Sequence, residues 1–87
     1  MDISVVIPLL NEEESIPELF EWIRDVMNKN KFSFEVIFID DGSKDNSWNI
    51  IENIVRENIE VKAIKFRRNY GKSAALHLGF EAAEGEV

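Results

Sequence analysis

The chain alternates between short apolar runs and longer segments in which apolar residues recur at helical spacing. Residues 3–9 and 36–39 are apolar without polar alternation, a pattern typical of strands buried on both faces. Residues 61–66 alternate less cleanly, which favours a strand nearer the edge of the sheet. A fourth strand is predicted to begin at residues 86–87. The pattern therefore predicts a sheet in which the second strand is an inner one.

Three helices are predicted between these strands. The first helix is predicted to end near residue 28, the second to end near residue 57 and the third to begin near residue 73. They are predicted as helices because apolar residues fall at the i, i+3, i+4 and i+7 positions of one helical face. The small residues of the third helix predict close packing against the sheet. The residues predicted to face the core are Ile16, Leu19, Phe20, Ile23, Met27, Ile50, Ile51, Ile54, Val55, Ala75, Leu76, Gly79, Ala82 and Ala83.

Polar residues mark the predicted helix ends. Ser15 and Glu18 have the spacing of a capping box before the first helix. Asp45 or Asn46 is predicted to cap the second helix. Gly85 is predicted to end the third helix as its C′ residue.

The order of elements, β-α-β-α-β-α, predicts right-handed parallel crossovers and a three-layer α-β-α, Rossmann-like α/β sheet. The carboxyl ends of parallel strands share one edge, so residues 10–14, 40–45 and 67–72 should converge there. Asp40 and Asp41 follow the inner strand at this edge. A sheltered carboxylate needs hydrogen-bond donors or a cation, which predicts a ligand site. The alternative interpretation is a turn, since aspartate, glycine and serine all favour turns.

Composition narrows the class of protein. The 87 residues amount to one domain or less, and the absence of cysteine excludes a disulfide scaffold and a cysteine zinc site. No apolar run approaches the roughly 20 residues that span a bilayer, which predicts a cytoplasmic chain. The net charge of −7 argues against a nucleic-acid binder. Residues 61–87 nevertheless carry 5 bases against 3 acids, so a basic segment facing an acidic crevice suits a small anionic ligand accompanied by a metal ion.

The sequence lacks the motifs of several other classes of nucleotide-binding and phosphate-binding protein. The chain has neither a GxGxxG dinucleotide fingerprint nor a GxxxxGK[ST] P-loop. A haloacid-type phosphatase has aspartates two apart on its first strand, whereas here they are adjacent and on the second. A receiver-type signalling domain needs an aspartate at the end of its third strand, where this chain has Arg67 and Arg68.

Three motifs at the predicted strand ends resemble inverting glycosyltransferase family 2: PLLNE at residues 8–12, VIFIDDGS at residues 36–43 with Asp45, and RNYGK at residues 68–72. The last motif is most similar to the polyprenyl-phosphate branch, of the dolichol-phosphate mannosyltransferase type. The resemblance covers nearly the whole chain. It implies that residues 1–87 are the nucleotide-sugar-binding, N-terminal part of a GT-A fold, truncated before the strand that carries the DxD motif.

The resemblance also implies a nucleotide site. Asp41 would accept a hydrogen bond from the base, with Asp40 supporting it or reaching the ribose, and Arg68 and Lys72 would lie near the diphosphate. Leu10 departs from the pattern, because the family commonly has an aromatic residue there. The nucleotide-binding residues implied are Pro8, Leu10, Asn11, Glu12, Asp40, Asp41, Gly42, Ser43, Arg68 and Lys72.

The resemblance implies that no catalytic or metal-binding residue lies within this chain. Mg or Mn is expected for the full-length enzyme, at a DxD motif beyond Val87. The implied reaction transfers a sugar from a nucleotide-diphosphate sugar to an acceptor, such as a polyprenyl phosphate or a cell-surface glycan, at the cytoplasmic face of the membrane. The chain alone is expected to be inactive and to self-associate through an exposed sheet edge. The alternative is a non-catalytic nucleotide-binding or interaction domain with the same fold.

Overall fold

The structure, a computed structural model, describes residues 2–87. Its three strands form one parallel sheet with the order β1-β2-β3, so β2 is the inner strand and β3 is an edge strand, as predicted. None of the helices in these residues is long and apolar enough to cross a membrane. The elements are β1 (Ile3–Leu9), α1 (Ile16–Lys29), β2 (Phe34–Asp40), α2 (Ser47–Glu57), β3 (Val61–Lys65) and α3 (Lys72–Ala82).

The inner strand β2 is buried on both faces, which explains its unbroken apolar run. Val36 and Phe38 belong to a core formed with α1 and α2 on one face of the sheet. Ile37 and Ile39 point to the other face and pack with Ala75 of α3. Successive side chains of a strand point to opposite faces, so a helical layer on each face requires apolar residues at every position. The predicted three-layer α/β arrangement is confirmed.

The third helix lies unusually close to the sheet. A Cβ atom built on Gly79 would overlap the side chain of Val6 and lie 2.6 Å from the Cδ1 atom of Ile39. Ala75, one turn earlier on the same face, is fully buried. The prediction of close packing from the small residues of this helix is confirmed.

The predicted helix caps are partly wrong. Ser15 has helical backbone angles (φ −86°, ψ −25°), and within the described residues its side chain makes no capping hydrogen bond, because an N-cap side chain reaches back only from an extended conformation. At α2 the capping hydrogen bond is made by Asp45, the residue before the N-cap. Its Oδ1 atom accepts a hydrogen bond from the Ser47 N–H at 2.9 Å.

Two other predicted positions differ in the structure. The helix α3 ends at Ala82, and Ala83 is already extended, so Gly85 is not its C′ residue. Gly85 instead lies against β1, where a Cβ would be 3.1 Å from the backbone of Ile3. Leu19 is 37% exposed, so the buried face of α1 is narrower than the apolar spacing predicted.

The chain turns back along the free edge of β1 after α3. Glu86 forms a parallel bridge with Ile3, and its carbonyl accepts a hydrogen bond from the Ser4 N–H at 2.6 Å. The predicted start of a further strand at residue 86 therefore lies beside β1, on the side opposite β2.

A buried acid holds this returning segment in place. Glu35 is 1% exposed, and its Oε2 atom accepts hydrogen bonds from the Ser4 hydroxyl and the Glu84 N–H, both at 2.6 Å. The ammonium group of Lys62 lies 2.9 Å from its Oε1 atom. Burial raises the pKa of Glu35, but these three partners outweigh it and hold the pKa at about 2. Glu35 is not among the residues predicted to be functional, although an acid between Phe34 and Val36 in an apolar run was a visible signal.

Candidate functional site

The loops that follow the three strands meet at the carboxyl edge of the sheet, as the parallel topology requires. They are the first loop (residues 10–15), the acidic loop (residues 41–46) and the basic loop (residues 66–71). Between them lies a cleft of about 330 Å³. Its lining comes from the end of β1, the three loops and the start of α3, and consists of Pro8, Leu9, Leu10, Glu12, Asp41, Asn69, Gly71 and Lys72.

Asp41 sits at the floor of the cleft and is only 5% exposed. Its Oδ1 atom accepts a hydrogen bond from the Tyr70 N–H at 2.8 Å, and its Oδ2 atom accepts one from the Gly71 N–H at 3.1 Å. The donors that a sheltered carboxylate needs therefore come from the backbone of the basic loop. Both oxygens of Asp41 are therefore paired with backbone donors.

Asp40 has a different environment from its neighbour. It is fully buried, and its Oδ1 atom accepts a hydrogen bond from the Ser43 N–H at 2.8 Å, which closes the turn after β2. Its Oδ2 atom has no hydrogen-bond partner within residues 2–87. Asp40 does not line the cleft, so in this structure it shapes the acidic loop from below.

Gly42 is required by its backbone angle and by the space around it. Its φ of +85° is one that residues with a Cβ rarely adopt. A Cβ at this position would also lie 2.6 Å from the backbone nitrogen of Asn69 and 2.9 Å from the Cα of Arg68. The basic loop thus rests directly on the backbone of the acidic loop.

The first loop is fastened to the acidic loop through Asn11. The Asn11 N–H donates to the Ser43 hydroxyl at 2.8 Å, and its side-chain oxygen accepts a hydrogen bond from the Lys44 N–H at 2.9 Å. Asn11 has a positive φ of 53°, which asparagine tolerates better than most residues. Asn11 and Ser43 therefore fix the two loops relative to each other and do not line the cleft.

Two further hydrogen bonds orient the neighbouring acids. The Glu12 N–H donates to the buried Ser47 hydroxyl at 3.0 Å, and the Glu13 N–H donates to Asp45 Oδ2 at 3.3 Å. Hydrogen bonding to the Ser47 hydroxyl, and then to the backbone N–H groups of Ser47 and Glu13, holds the pKa of Asp45 below its ordinary value. This leaves the Glu12 side chain at the rim of the cleft.

The two basic residues of the RNYGK motif lie in different places. Lys72 is the first residue of α3 and lines the cleft, beside the free N–H groups of a helix N-terminus. Arg68 is exposed, and its guanidinium lies 5.0 Å from the ring centre of Tyr70. Leu10 is 38% exposed and adds apolar surface to the lining of the cleft, together with Pro8 and Leu9.

Comparison with known proteins decides the family. A family model described as Glycosyl transferase family 2 matches residues 4–87. The chain belongs to glycosyl transferase family 2. The resemblance of its three motifs to that family is confirmed.

Individual relatives of this family 2 chain agree. The undecaprenyl-phosphate 4-deoxy-4-formamido-L-arabinose transferase of Pseudomonas fluorescens is 43% identical over 86 residues, which are 98% of this chain and 25% of that protein. The bactoprenol glucosyl transferase of Shigella phage SfV is 38% identical over 87 residues, 100% of this chain and 28% of that protein. This chain therefore spans about a quarter of the length of the curated relatives it matches.

The fold of the family 2 chain also matches solved structures. The crystal structure of S. aureus TarS 1-349 has a TM-score of 0.78 and 30% sequence identity, over 98% of this chain and 25% of that one. The GT-A fold class expected from the resemblance is confirmed.

Half of the residues that the resemblance implied line the cleft: Pro8, Leu10, Glu12, Asp41 and Lys72. The other half surround it, and hydrogen bonds or backbone contacts tie most of them to the loops: Asn11, Asp40, Gly42, Ser43 and Arg68. Three lining residues are absent from the predicted set: Leu9, Asn69 and Gly71. Their signal was present, since Leu9 lies within the first motif and the other two within RNYGK.

The acidic pair does not fit a metal site. Asp41 accepts backbone N–H groups with both oxygens, and Asp40 is enclosed below the turn. Across residues 2–87, no three acids or histidines come together in a way that could hold a metal ion. No step of the chemistry is therefore assigned to a metal held by these residues.

Proposed function

We propose that this chain supplies the nucleotide-sugar-binding part of a family 2 glycosyltransferase that transfers a sugar to a polyprenyl phosphate. The observation that carries the proposal is the cleft itself, whose lining combines the carboxylates of Asp41 and Glu12, the cationic Lys72 and the apolar residues Pro8, Leu9 and Leu10. The names of the relatives support the acceptor, since they include an undecaprenyl-phosphate sugar transferase and a bactoprenol glucosyl transferase.

The residues that line the cleft suit the two parts of a nucleoside diphosphate. Asp41 and Glu12 offer carboxylate oxygens, which accept hydrogen bonds from base N–H groups and ribose hydroxyls. Lys72 and the N-terminus of α3 offer positive charge and N–H donors to the diphosphate. Pro8, Leu9 and Leu10 provide the apolar surface against which a base or a ribose packs.

The reaction proposed is an in-line substitution at the anomeric carbon of the sugar. An oxygen of the acceptor phosphate forms the new bond to that carbon while the bond to the diphosphate breaks, and the nucleoside diphosphate leaves with the electron pair. Lys72 would stabilise the charge that develops on the leaving group. Mg or Mn, expected at a DxD motif outside this chain, would supply further charge stabilisation in the whole enzyme.

A second candidate is a non-catalytic nucleotide-binding domain with the same fold. The two candidates differ in whether the full-length protein turns over a nucleotide sugar. Release of nucleoside diphosphate that depends on a polyprenyl-phosphate acceptor would exclude the second.

Two further parts of the proposal concern the surroundings of the chain. We place the nucleotide site on the cytoplasmic side of the membrane, because nucleotide sugars and the acceptor head group would meet there. We also propose that chains associate through the edge of β1, along which, within residues 2–87, Glu86 pairs with the first residues of the strand. A monomeric mass at micromolar concentration, measured by light scattering, would contradict the association.

The experiment that tests the nucleotide site is a titration of the chain followed by backbone amide shifts. UDP, GDP and their sugar conjugates are added with and without Mn²⁺. Shifts at Asp41, Glu12 and Lys72 that are lost in Lys72→Ala, but kept in the control Lys29→Ala at the end of α1, would support the site and identify the base. No shift with any ligand up to millimolar concentration would refute nucleotide binding by this chain.

A further inference from the structure

The carboxylate of Asp41 is bonded to the basic loop, which leads directly into Lys72, a cationic residue that lines the cleft. Both of its oxygens accept N–H groups of the basic loop, from Tyr70 and Gly71. Gly71 is the N-cap residue of α3, and Lys72 follows it directly. Any displacement of these two N–H groups therefore moves the start of α3 and the root of the lysine side chain.

We infer that Asp41 is a positioning residue for the basic loop and the N-terminus of α3, so that it couples base recognition to diphosphate binding. The inference rests on the proposed function. A carboxylate oxygen can accept two hydrogen bonds, and the basic loop uses one on each oxygen of Asp41. The remaining acceptor sites are those that a base N–H would use, and a base can reach Asp41 because it lines the cleft.

The basic loop depends on this support because its own side chains are largely exposed. Arg67, Arg68 and Asn69 are exposed, and Tyr70 is 56% exposed. Its other supports are the edge-to-face contact of Tyr70 with Phe66, at 5.4 Å between ring centres, and the backbone seat on Gly42. The Gly71 N–H is shared, since the side-chain oxygen of Asn69 within the loop also accepts it, at 2.9 Å. Asp41 and Gly42, the first two residues of the acidic loop, thus hold the basic loop from outside.

The direction in which pyrophosphate affinity changes in Asp41→Asn distinguishes a positioning role of Asp41 from a purely electrostatic one. Asp41→Asn removes a negative charge beside the proposed anion site, and Coulomb's law alone predicts that inorganic pyrophosphate would then bind more tightly. Asparagine also presents an N–H₂ group toward at least one of the two loop N–H donors. If Asp41 positions the loop, the same variant binds pyrophosphate more weakly, although pyrophosphate has no base to recognise.

The test is a pyrophosphate titration of the wild-type chain, Asp41→Asn and the charge-matched control Asp25→Asn, whose side chain is exposed on α1. Amide signals of Lys72 and Ser73 report binding, and those of Tyr70 and Gly71 report the loop before ligand is added. We expect Asp41→Asn to bind pyrophosphate at least about fivefold more weakly, within the usual range of coupling between sites. We expect the ligand-free signals of Tyr70 and Gly71 to move in that variant and not in the control.

A second variant tests the same inference without touching the carboxylate. Gly42→Ala keeps the charge of Asp41 but places a Cβ against the backbone of Arg68 and Asn69, so it should displace the loop and weaken pyrophosphate binding in the same way. Pyrophosphate affinity that is unchanged or higher in Asp41→Asn would overturn the inference. Ligand-free signals of Tyr70 and Gly71 that do not move in Asp41→Asn would also overturn it, whether or not the chain binds nucleotides. The proposed function would be overturned by a different result, a wild-type chain that binds no nucleoside diphosphate.

Discussion

Replacing Glu35 by glutamine is expected to destabilise the fold, because this acid joins the three strands to the segment that follows α3. In the native chain its oxygens receive the Ser4 hydroxyl, the Glu84 N–H and the Lys62 ammonium group. Glutamine has nearly the same shape, but it carries no charge and turns an N–H₂ group toward one of these donors. A buried donor is then left facing another donor, which costs about 1–3 kcal/mol.

The pH dependence of stability gives a second magnitude for the same site. The pKa of Glu35 falls from 4.5 to about 2 on folding, which corresponds to about 3 kcal/mol of folding free energy. Because the folded-state pKa is the lower one, this stability is present above pH 4.5 and is lost as the pH falls toward 2. About 2 kcal/mol of it should be gone at pH 3.

The assay is urea unfolding followed by the fluorescence of Trp22 and Trp48, at pH 7, 5, 4 and 3. Wild-type chain should lose more stability between pH 5 and pH 3 than Glu35→Gln, by about 2 kcal/mol. Glu52→Gln removes an exposed acid of α2 and should follow the wild-type curve. Parallel curves for wild type and Glu35→Gln would refute the assignment of the lowered pKa to Glu35.

Two further substitutions test the packing and the loops. Gly79→Ala should destabilise the chain by about 1–3 kcal/mol in urea unfolding, because the new methyl group meets Val6 and Ile39; helix propensity alone would stabilise it by about 1 kcal/mol, so a gain in stability would contradict the close packing. Ser47→Ala should cost about 1 kcal/mol by leaving the Glu12 N–H unpaired. It should also raise the pKa of Asp45 toward its ordinary value, which carboxyl carbon shifts can follow and which an unchanged titration would disprove.

Much of the fold could be predicted because its signals are local. The apolar run at residues 36–39, of β-branched and aromatic residues, is typical of a strand that is covered by a layer on each face. This pattern predicted that β2 lies inside the sheet. Small residues along one side of α3 predicted its close approach. The helix caps were less predictable, because a capping side chain works only from one backbone conformation, and Ser15 does not adopt it.

The candidate site was predictable in part for the same reason. Motifs at the carboxyl ends of parallel strands must share one edge, so the sequence predicted which loops meet. It did not reveal that Asp40 and Asp41, though adjacent, have different surroundings. One is enclosed below a turn, and the other faces the cleft, because neighbouring positions at a strand end point to opposite sides.

The order of strands and helices along the chain, the edge of the sheet where the motifs gather and the resemblance to a family all follow from the amino-acid sequence. Which polar groups meet follows only from the packing of the folded chain. Tyr70 donates to Asp41 across 29 positions of sequence, and Glu84 donates to Glu35 across 49. Such pairs leave no periodic signal, since a carboxylate can be satisfied by any donor that the fold brings within reach, and only the packed chain selects one.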